Sequence, residues 1–404
     1  MFDDYRGIPV EAKYLIIQSI MPSLAIGMFY TDISYFLTTV QGLPDYIMGI
    51  IITIMGVSTF ISSILLGIAA DKYGRKRLYI FGNVIMSSII ALFALTTNAA
   101  ILLVAAAFEG ISEGAFAASG GALIAEKAGN ERRTSIFSIF GFVQNIASGV
   151  GSILILSVAF LESFGLTMTQ SHTVLYLLLA LLSLASTLFM LRVSESKTLK
   201  KTESRLSELL PKKSKSTIIK YVLTSAIVAF GAGMVVPLMA RWLNQRYNVS
   251  DAVSGPILGV ANIIIGVATL AAPPLARRIG LVRAIVVTQG FSTLFMFLTP
   301  LQPNYVLASF VYTVRAFLMN MASPLQQSMI MGLVTEDERG AASGVAGAFW
   351  RLPNALSTSI GASLIGIGQL AAPFFLASLL YIVSISLFWV YFRKVRLPEE
   401  KKTT

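Results

Sequence analysis

From about residue 14 to residue 392 the chain alternates long apolar runs with short polar turns, and apolar runs of 18 or more residues recur throughout. As a helix rising about 1.5 Å per residue, such a run crosses about 30 Å of hydrocarbon. Helices are predicted near 14–39, 46–70, 78–97, 98–128, 135–160 and 173–193. A second set falls near 217–240, 252–276, 284–300, 304–334, 341–368 and 372–392, which makes twelve segments. The one long polar stretch, SESKTLKKTESRLSELLPKKSKS at 194–216, is too charged to enter a bilayer and reads as a linker. It divides the chain into an N-terminal six-helix bundle, 1–193, and a C-terminal six-helix bundle with a short tail, 217–404. The expected fold class is therefore an all-α membrane protein. The first apolar run is too long for a signal-peptide core and is read as a retained span.

Composition sharpens this picture. The chain is 55% hydrophobic and 13% charged, whereas a soluble domain carries about a quarter charged residues. It contains no cysteine, which excludes disulfides, thiolate metal sites and a cysteine nucleophile. Of its 31 Lys and Arg residues, 27 fall before the first segment, in the turns 71–77, 127–133 and 277–283, across 192–220, at Arg339 or in the C-terminal tail. Positive residues are retained on the cytoplasmic side. Both termini are thus expected in the cytoplasm, with the chain in the cell membrane and Arg241 and Arg246 on the outer side. Because these charges are scattered among short turns and not gathered on one soluble face, the net charge of +11 does not indicate a nucleic-acid partner. Neither G-x-x-x-x-G-K-[ST] nor H-E-x-x-H occurs, so neither ATP-driven transport nor a metal hydrolase is supported. No enzyme activity, cofactor or metal is expected, and a monomer is the expected state.

Two segments recur. Glu131-Arg132-Arg133-Thr134-Ser135 returns in type as Glu338-Arg339-Gly340-Ala341-Ala342 at an offset of 207, and the turn Asp71 to Arg77 matches Arg277 to Arg283 at an offset of 206. Each copy occupies the same slot in its half, as expected of parallel repeats. The first turn is most informative: Gly67-Ile68-Ala69-Ala70-Asp71-Lys72-Tyr73-Gly74-Arg75-Lys76-Arg77 resembles the G-x-x-x-D-x-x-G-R-[KR]-[KR] signature of the major facilitator superfamily. With the helix count and the basic linker, the resemblance covers nearly the whole chain. It implies a carrier with two pseudo-symmetric halves and a gating motif at Gly67, Asp71, Gly74, Arg75 and Arg77, with Asp71 and Arg75 forming an inter-helix lock. Arg277 replaces the acid in the second copy. The glycine-proline run that the family's drug-proton antiporters carry in the fifth span is only partly met, by Gly141, Gly149 and Gly151 without a proline, so export is not diagnosed.

Charged residues inside the membrane cost about 2.5 to 3.5 kcal/mol each and are functional by default. Five are predicted there: Asp32 in the first span, Glu109 and Glu113 in the fourth, Arg315 in the tenth and Arg351 in the eleventh. The resemblance implies that the first, fourth, seventh and tenth spans line a central cavity. Glu109 and Glu113 are four apart, so they stack on one helix face, where repulsion and desolvation favour a shared proton. Arg315 lies at similar depth and is expected to face Glu109, either modulating a proton site or forming a static ion pair. Asp32, within Tyr30-Thr31-Asp32-Ile33-Ser34, either binds a cation or proton or meets a structural partner such as Arg351 or a helix end. Gln144, Asn145 and Asn320 offer neutral hydrogen bonds to a solute or between helices. Trp350 either stacks on a ligand or fills a helix seam. His172 is expected at an outer loop edge, as a bare surface histidine.

These residues predict a secondary carrier that moves a small organic solute, with protons and the lipid bilayer as its other partners. Proton-coupled antiport of amphipathic organic compounds is the leading expectation, and proton-coupled uptake of a small organic acid or amino acid is its rival. A non-transporting receptor or scaffold on the same fold is the alternative of another class.

Overall fold

A computed structural model of the chain describes residues 9–128, 133–194, 214–334 and 339–395. Among these there is no strand. Among the described residues ten helices, where the sequence predicts twelve segments, are long and apolar enough to cross a membrane, as in a multi-pass membrane protein. The first half holds α1 (Val10–Tyr35), α2 (Asp45–Tyr73), α3 (Arg75–Leu95), α4 (Ala99–Ala128), α5 (Arg133–Ile153), α6 (Ser157–Ser163) and α7 (Met168–Ser186). The second holds α8 (Lys215–Gly233), α9 (Met239–Tyr247), α10 (Asp251–Ile279), α11 (Leu281–Leu298), α12 (Tyr305–Leu333), α13 (Arg339–Gly366) and α14 (Ala372–Phe392). Most of the linker predicted at 194–216 lies outside the described residues, as do Glu131, Arg132 and Glu338 of the repeated pair.

The chain divides into two compact units, one of residues 1–203 with 250–262 and the other of 204–249 with 263–404. Small residues bring the helices of the first unit together, as in lipid, where packing and not water exclusion drives association. A Cβ on Gly27 would overlap the Ser148 carbonyl, and one on Gly151 would overlap that of Leu24, so α1 and α5 touch backbone to backbone. Gly110 and Gly114 set α4 on α2 in the same way. In the second unit Gly233 and Gly361 do this for α8 and α13.

Both repeated turns are built alike. Gly74 joins α2 to α3 at φ 102°, and Gly280 joins α10 to α11 at φ 85°. Each accepts the first backbone hydrogen bond of the following helix, from Leu78 and Ala284 respectively. A side chain is strained at such a φ, so Gly74→Ala should cost about 1–3 kcal/mol. A fall in thermal midpoint of the purified protein, absent for alanine at Gly141 where a Cβ would meet nothing, checks this. Gly67 and Asp71, the rest of the predicted gating motif, lie on α2, with the Asp71 side chain outside what is described. Arg75 is half-buried and Arg77 exposed at the start of α3.

One end of the first unit gathers the residues assigned to the cytoplasmic side. Lys127 Nζ, near the end of α4, lies 3.1 Å from Glu11 at the start of α1. The Ser194 backbone N–H donates to the same carboxylate at 2.8 Å. The beginning of α1 and the ends of α4 and of the segment after α7 therefore meet at one end.

Candidate functional site

Three groupings of polar side chains are buried in the helices. The first lies in the first unit, where α1 faces α4. The four-residue spacing does place Glu109 and Glu113 on one face, and Tyr30 of α1 reaches both, with its hydroxyl 2.7 Å from Glu109 Oε1 and 3.0 Å from Glu113 Oε2. Thr59 of α2 stands 3.1 Å from Glu113 Oε2, while its hydroxyl is also 2.9 Å from the Met55 carbonyl. Glu109 is fully buried. A tyrosine and a threonine bring one hydrogen each to these four contacts.

The second grouping is a cavity of about 520 Å³ in the second unit. Arg315, Asn320, Gln289, Gln326, Gln327 and Trp350 are among its walls. Arg315 is 4% exposed. Its Nη2 donates to the Tyr381 hydroxyl at 2.5 Å, and its guanidinium carbon sits 5.6 Å from the centre of the Tyr381 ring and 5.8 Å from that of Tyr312. Its Nε–H is buried without a hydrogen-bond partner among the described residues. Asn320 Nδ2 donates to the Ala316 carbonyl at 2.9 Å. Arg351 is half-buried on α13 and is not among the wall residues.

Gln144 and Asn145 belong to the first unit. Gln144 is half-buried, while Asn145 is exposed and returns its Nδ2–H to the Gly141 carbonyl at 2.9 Å.

The third grouping corrects the sequence reading. His172 is not a surface residue: it is fully buried in the first turns of α7. Its Nδ1 lies 2.8 Å from the Met168 carbonyl and its Nε2 lies 2.5 Å from Asp251 Oδ2. Asp32 Oδ2 is 3.8 Å from the same Nε2 and accepts from the Tyr176 hydroxyl at 3.0 Å. Among the described residues Asp32 meets Tyr176 and His172, where the sequence suggested Arg351 or a helix end. Asp251, 1% exposed, joins Asp32, Glu109 and Arg315 as a fourth buried charged residue among the described residues.

Both residues were missed for one reason: His172 and Asp251 each fall one position before a predicted apolar segment, where hydropathy assigns charge to water. That His172 is the single histidine of the chain was the available signal. The three side chains bring their ligand atoms within 4.8 Å of one another, yet Nε2 and Asp251 Oδ2, at 2.5 Å, are close enough to share a proton and leave no room for an ion between them. The geometry is that of a hydrogen-bonded cluster.

Comparison with known proteins agrees with the helical architecture. The family model described as Major Facilitator Superfamily matches residues 15–358 and 221–404. An uncharacterized membrane protein of Saccharomyces cerevisiae is 24% identical over 385 residues, covering 83% of this chain and 86% of its own. Among solved structures, the nucleoside transporter NupG superposes with a TM-score of 0.75 at 15% identity, covering 96% of this chain and 100% of its own. An auto-inhibited peptide transporter of the POT family gives 0.76 at 14%, over 96% and 98%. The human organic anion transporter MFSD10 gives 0.65 at 16%, over 94% and 100%.

Proposed function

Because the chain belongs to the Major Facilitator Superfamily and is a transporter, not an enzyme, we propose that it couples movement of a small organic solute to protons by alternating access. In this reading twelve spans form two six-helix halves, 1–193 and 217–404, joined by a cytoplasmic linker at 194–216, with both termini in the cytoplasm of a cell-membrane protein that works as a monomer. The turn containing Asp71, Gly74 and Arg75 gates the exchange between states.

One observation carries the proton assignment. Tyr30 Oη touches both Glu109 and Glu113 but owns a single hydrogen, and Thr59 must divide its own between Met55 and Glu113. An ionised carboxylate only accepts. A proton on one glutamate supplies the missing donor and removes the repulsion between two carboxylates one helical turn apart. Protonation is therefore built into this cluster, and its loss or gain is the coupling event. Asp32 is the other acid assigned to coupling.

The solute site is the cavity in the second unit. Its lining combines amides, the Arg315 cation and the Trp350 and Met319 side chains, which suits an amphipathic organic compound. Antiport of such compounds against protons is the first reading. The second, uptake of a small organic acid or amino acid, is favoured by the unpartnered Nε–H of Arg315, which a carboxylate would satisfy. The fold is shared by carriers named for nucleosides, peptides and organic anions, so fold alone selects none of them.

Flux of a panel of organic solutes into proteoliposomes, under a pH gradient of either sign, tests both readings. Accumulation that follows the gradient supports proton coupling, and its sign separates antiport from uptake. Flux indifferent to both signs of the gradient would reduce the chain to a uniporter. Arg315→Lys should weaken solute binding by about tenfold or more, because an ammonium cannot reproduce the planar guanidinium contact. Equilibrium binding of a transported solute to the purified variant measures this.

A further inference from the structure

The first turn of α10 is held by a contact that needs a proton. The Met168 carbonyl can only accept, so the 2.8 Å bond from His172 Nδ1 carries that nitrogen's hydrogen. In a neutral imidazole Nε2 then presents a lone pair. Asp251 Oδ2, 2.5 Å away, presents another when it is ionised. Two lone pairs at that separation repel, and one proton between them converts the contact into a charge-assisted hydrogen bond.

We propose that His172, Asp251 and Asp32 form a second proton-binding site, a latch in which an imidazolium between two carboxylates fastens the start of α10 to α1 and α7. Loss of that proton releases residues 251–262. The assignment deepens the proton-coupled reading above and rests on it for its role in transport, but the chemistry of the latch stands on its own geometry.

Every element packed around His172 contributes to this site. From α1 come Asp32 and Tyr35, the latter within electrostatic range of both aspartates and of Glu162 on α6. From α7 comes Tyr176, which donates to Asp32, and from α10 comes Asp251. The ring of Phe36 lies 5.6 Å from the imidazole and 4.5 Å from that of Tyr176, keeping the cluster dry. Among the described residues Asp32 Oδ1 is buried without a hydrogen-bond partner.

Beyond the latch, the start of α10 is seated by a glycine seam and by the Tyr35 hydroxyl, which meets the Asp251 backbone. A Cβ on Gly255 would lie 2.7 Å from Ile155 and 3.0 Å from the Ser152 carbonyl, and one on Gly259 would lie 2.6 Å from the Gly149 carbonyl. Such packing is close but has little directionality, so the directional fastenings are the His172 contact and that of Tyr35 with the Asp251 backbone.

The chain has no cysteine, so Ser254→Cys introduces a single thiol on this stretch at a fully buried position. Its rate of maleimide modification in the purified protein, normalised at each pH to the exposed position Val253→Cys, reports release. Between about pH 5 and about pH 9, a range that brackets histidine titration, the normalised rate should rise about tenfold or more as the bond is lost.

Adding Asp251→Asn should keep the rate low throughout, because the amide N–H donates to the neutral Nε2 and replaces the proton. Adding Asp251→Ala should keep it high throughout. A rate independent of pH in the otherwise unchanged chain, or an Asp251→Asn background that rises with pH as before, would overturn the latch. So would a high-pH rate that zinc ions suppress and a chelator restores, since that would make the cluster a cation site. No flux is measured, so a chain that transports without protons fails the proteoliposome test and not this one.

Discussion

Glu109→Gln and Glu113→Gln are each expected to abolish accumulation driven by a pH gradient, while solute exchange without net proton movement survives in at least one of them. A gradient of one pH unit moving one proton per solute supports about tenfold accumulation, and neither variant should exceed the level reached by diffusion. The reason is the count of hydrogens around Tyr30. Its hydroxyl touches both carboxylates, and a glutamine supplies a permanent N–H where the native acid supplies a removable proton. The cluster remains satisfied but can no longer load and unload. Tyr30→Phe removes both contacts and should shift the pH dependence of transport without abolishing it. Radiolabelled solute uptake and counterflow in the same proteoliposomes separate the two activities. If both glutamine variants kept gradient-driven transport with unchanged pH dependence, coupling would move to the cluster around His172 and Asp32 or vanish.

Gly151→Val should prevent the first unit from packing. A Cβ at this position would overlap the Leu24 carbonyl oxygen, and one on the reciprocal Gly27 would come equally close to that of Ser148. Neither obstacle is a flexible side chain that can swing away, so α1 and α5 would have to separate along their shared face. Overpacking typically costs about 1–3 kcal/mol when side chains can adjust and more when backbone must move. Separating the helices would also pull apart the Thr31 and Ser152 hydroxyls, now 2.7 Å from each other, and the 2.9 Å bond from Ser152 to the Gly27 carbonyl. Loss of a monodisperse peak in size-exclusion chromatography, or a large fall in thermal midpoint, is the expected result. Gly141→Ala, on the same helix but with no atom within 4 Å of the added Cβ, should behave as the parent chain. Equal behaviour of the two variants would mean that α1 and α5 do not approach as closely as described.

The amino-acid sequence alone was sufficient for what depends on local chemistry. Hydropathy placed the helices because each apolar run meets lipid or another apolar face, and a helix satisfies its own backbone wherever it lies. Gly74 and Gly280 were legible as turn residues because few other residues tolerate their backbone angles, and the stacking of Glu109 over Glu113 follows from helical periodicity.

What joins distant segments was not legible. That one tyrosine of α1 serves both glutamates, that Arg315 rests against the rings of Tyr312 and Tyr381, and that Gly27 seats Ser148 while Gly151 seats Leu24 are matters of helix rotation and pairing. No local pattern encodes them. His172 and Asp251 show the limit most plainly. Each stands at the edge of an apolar run, where composition assigns charge to water, and only the meeting of α1, α7 and the first turn of α10 excludes water from both and leaves each as the other's partner.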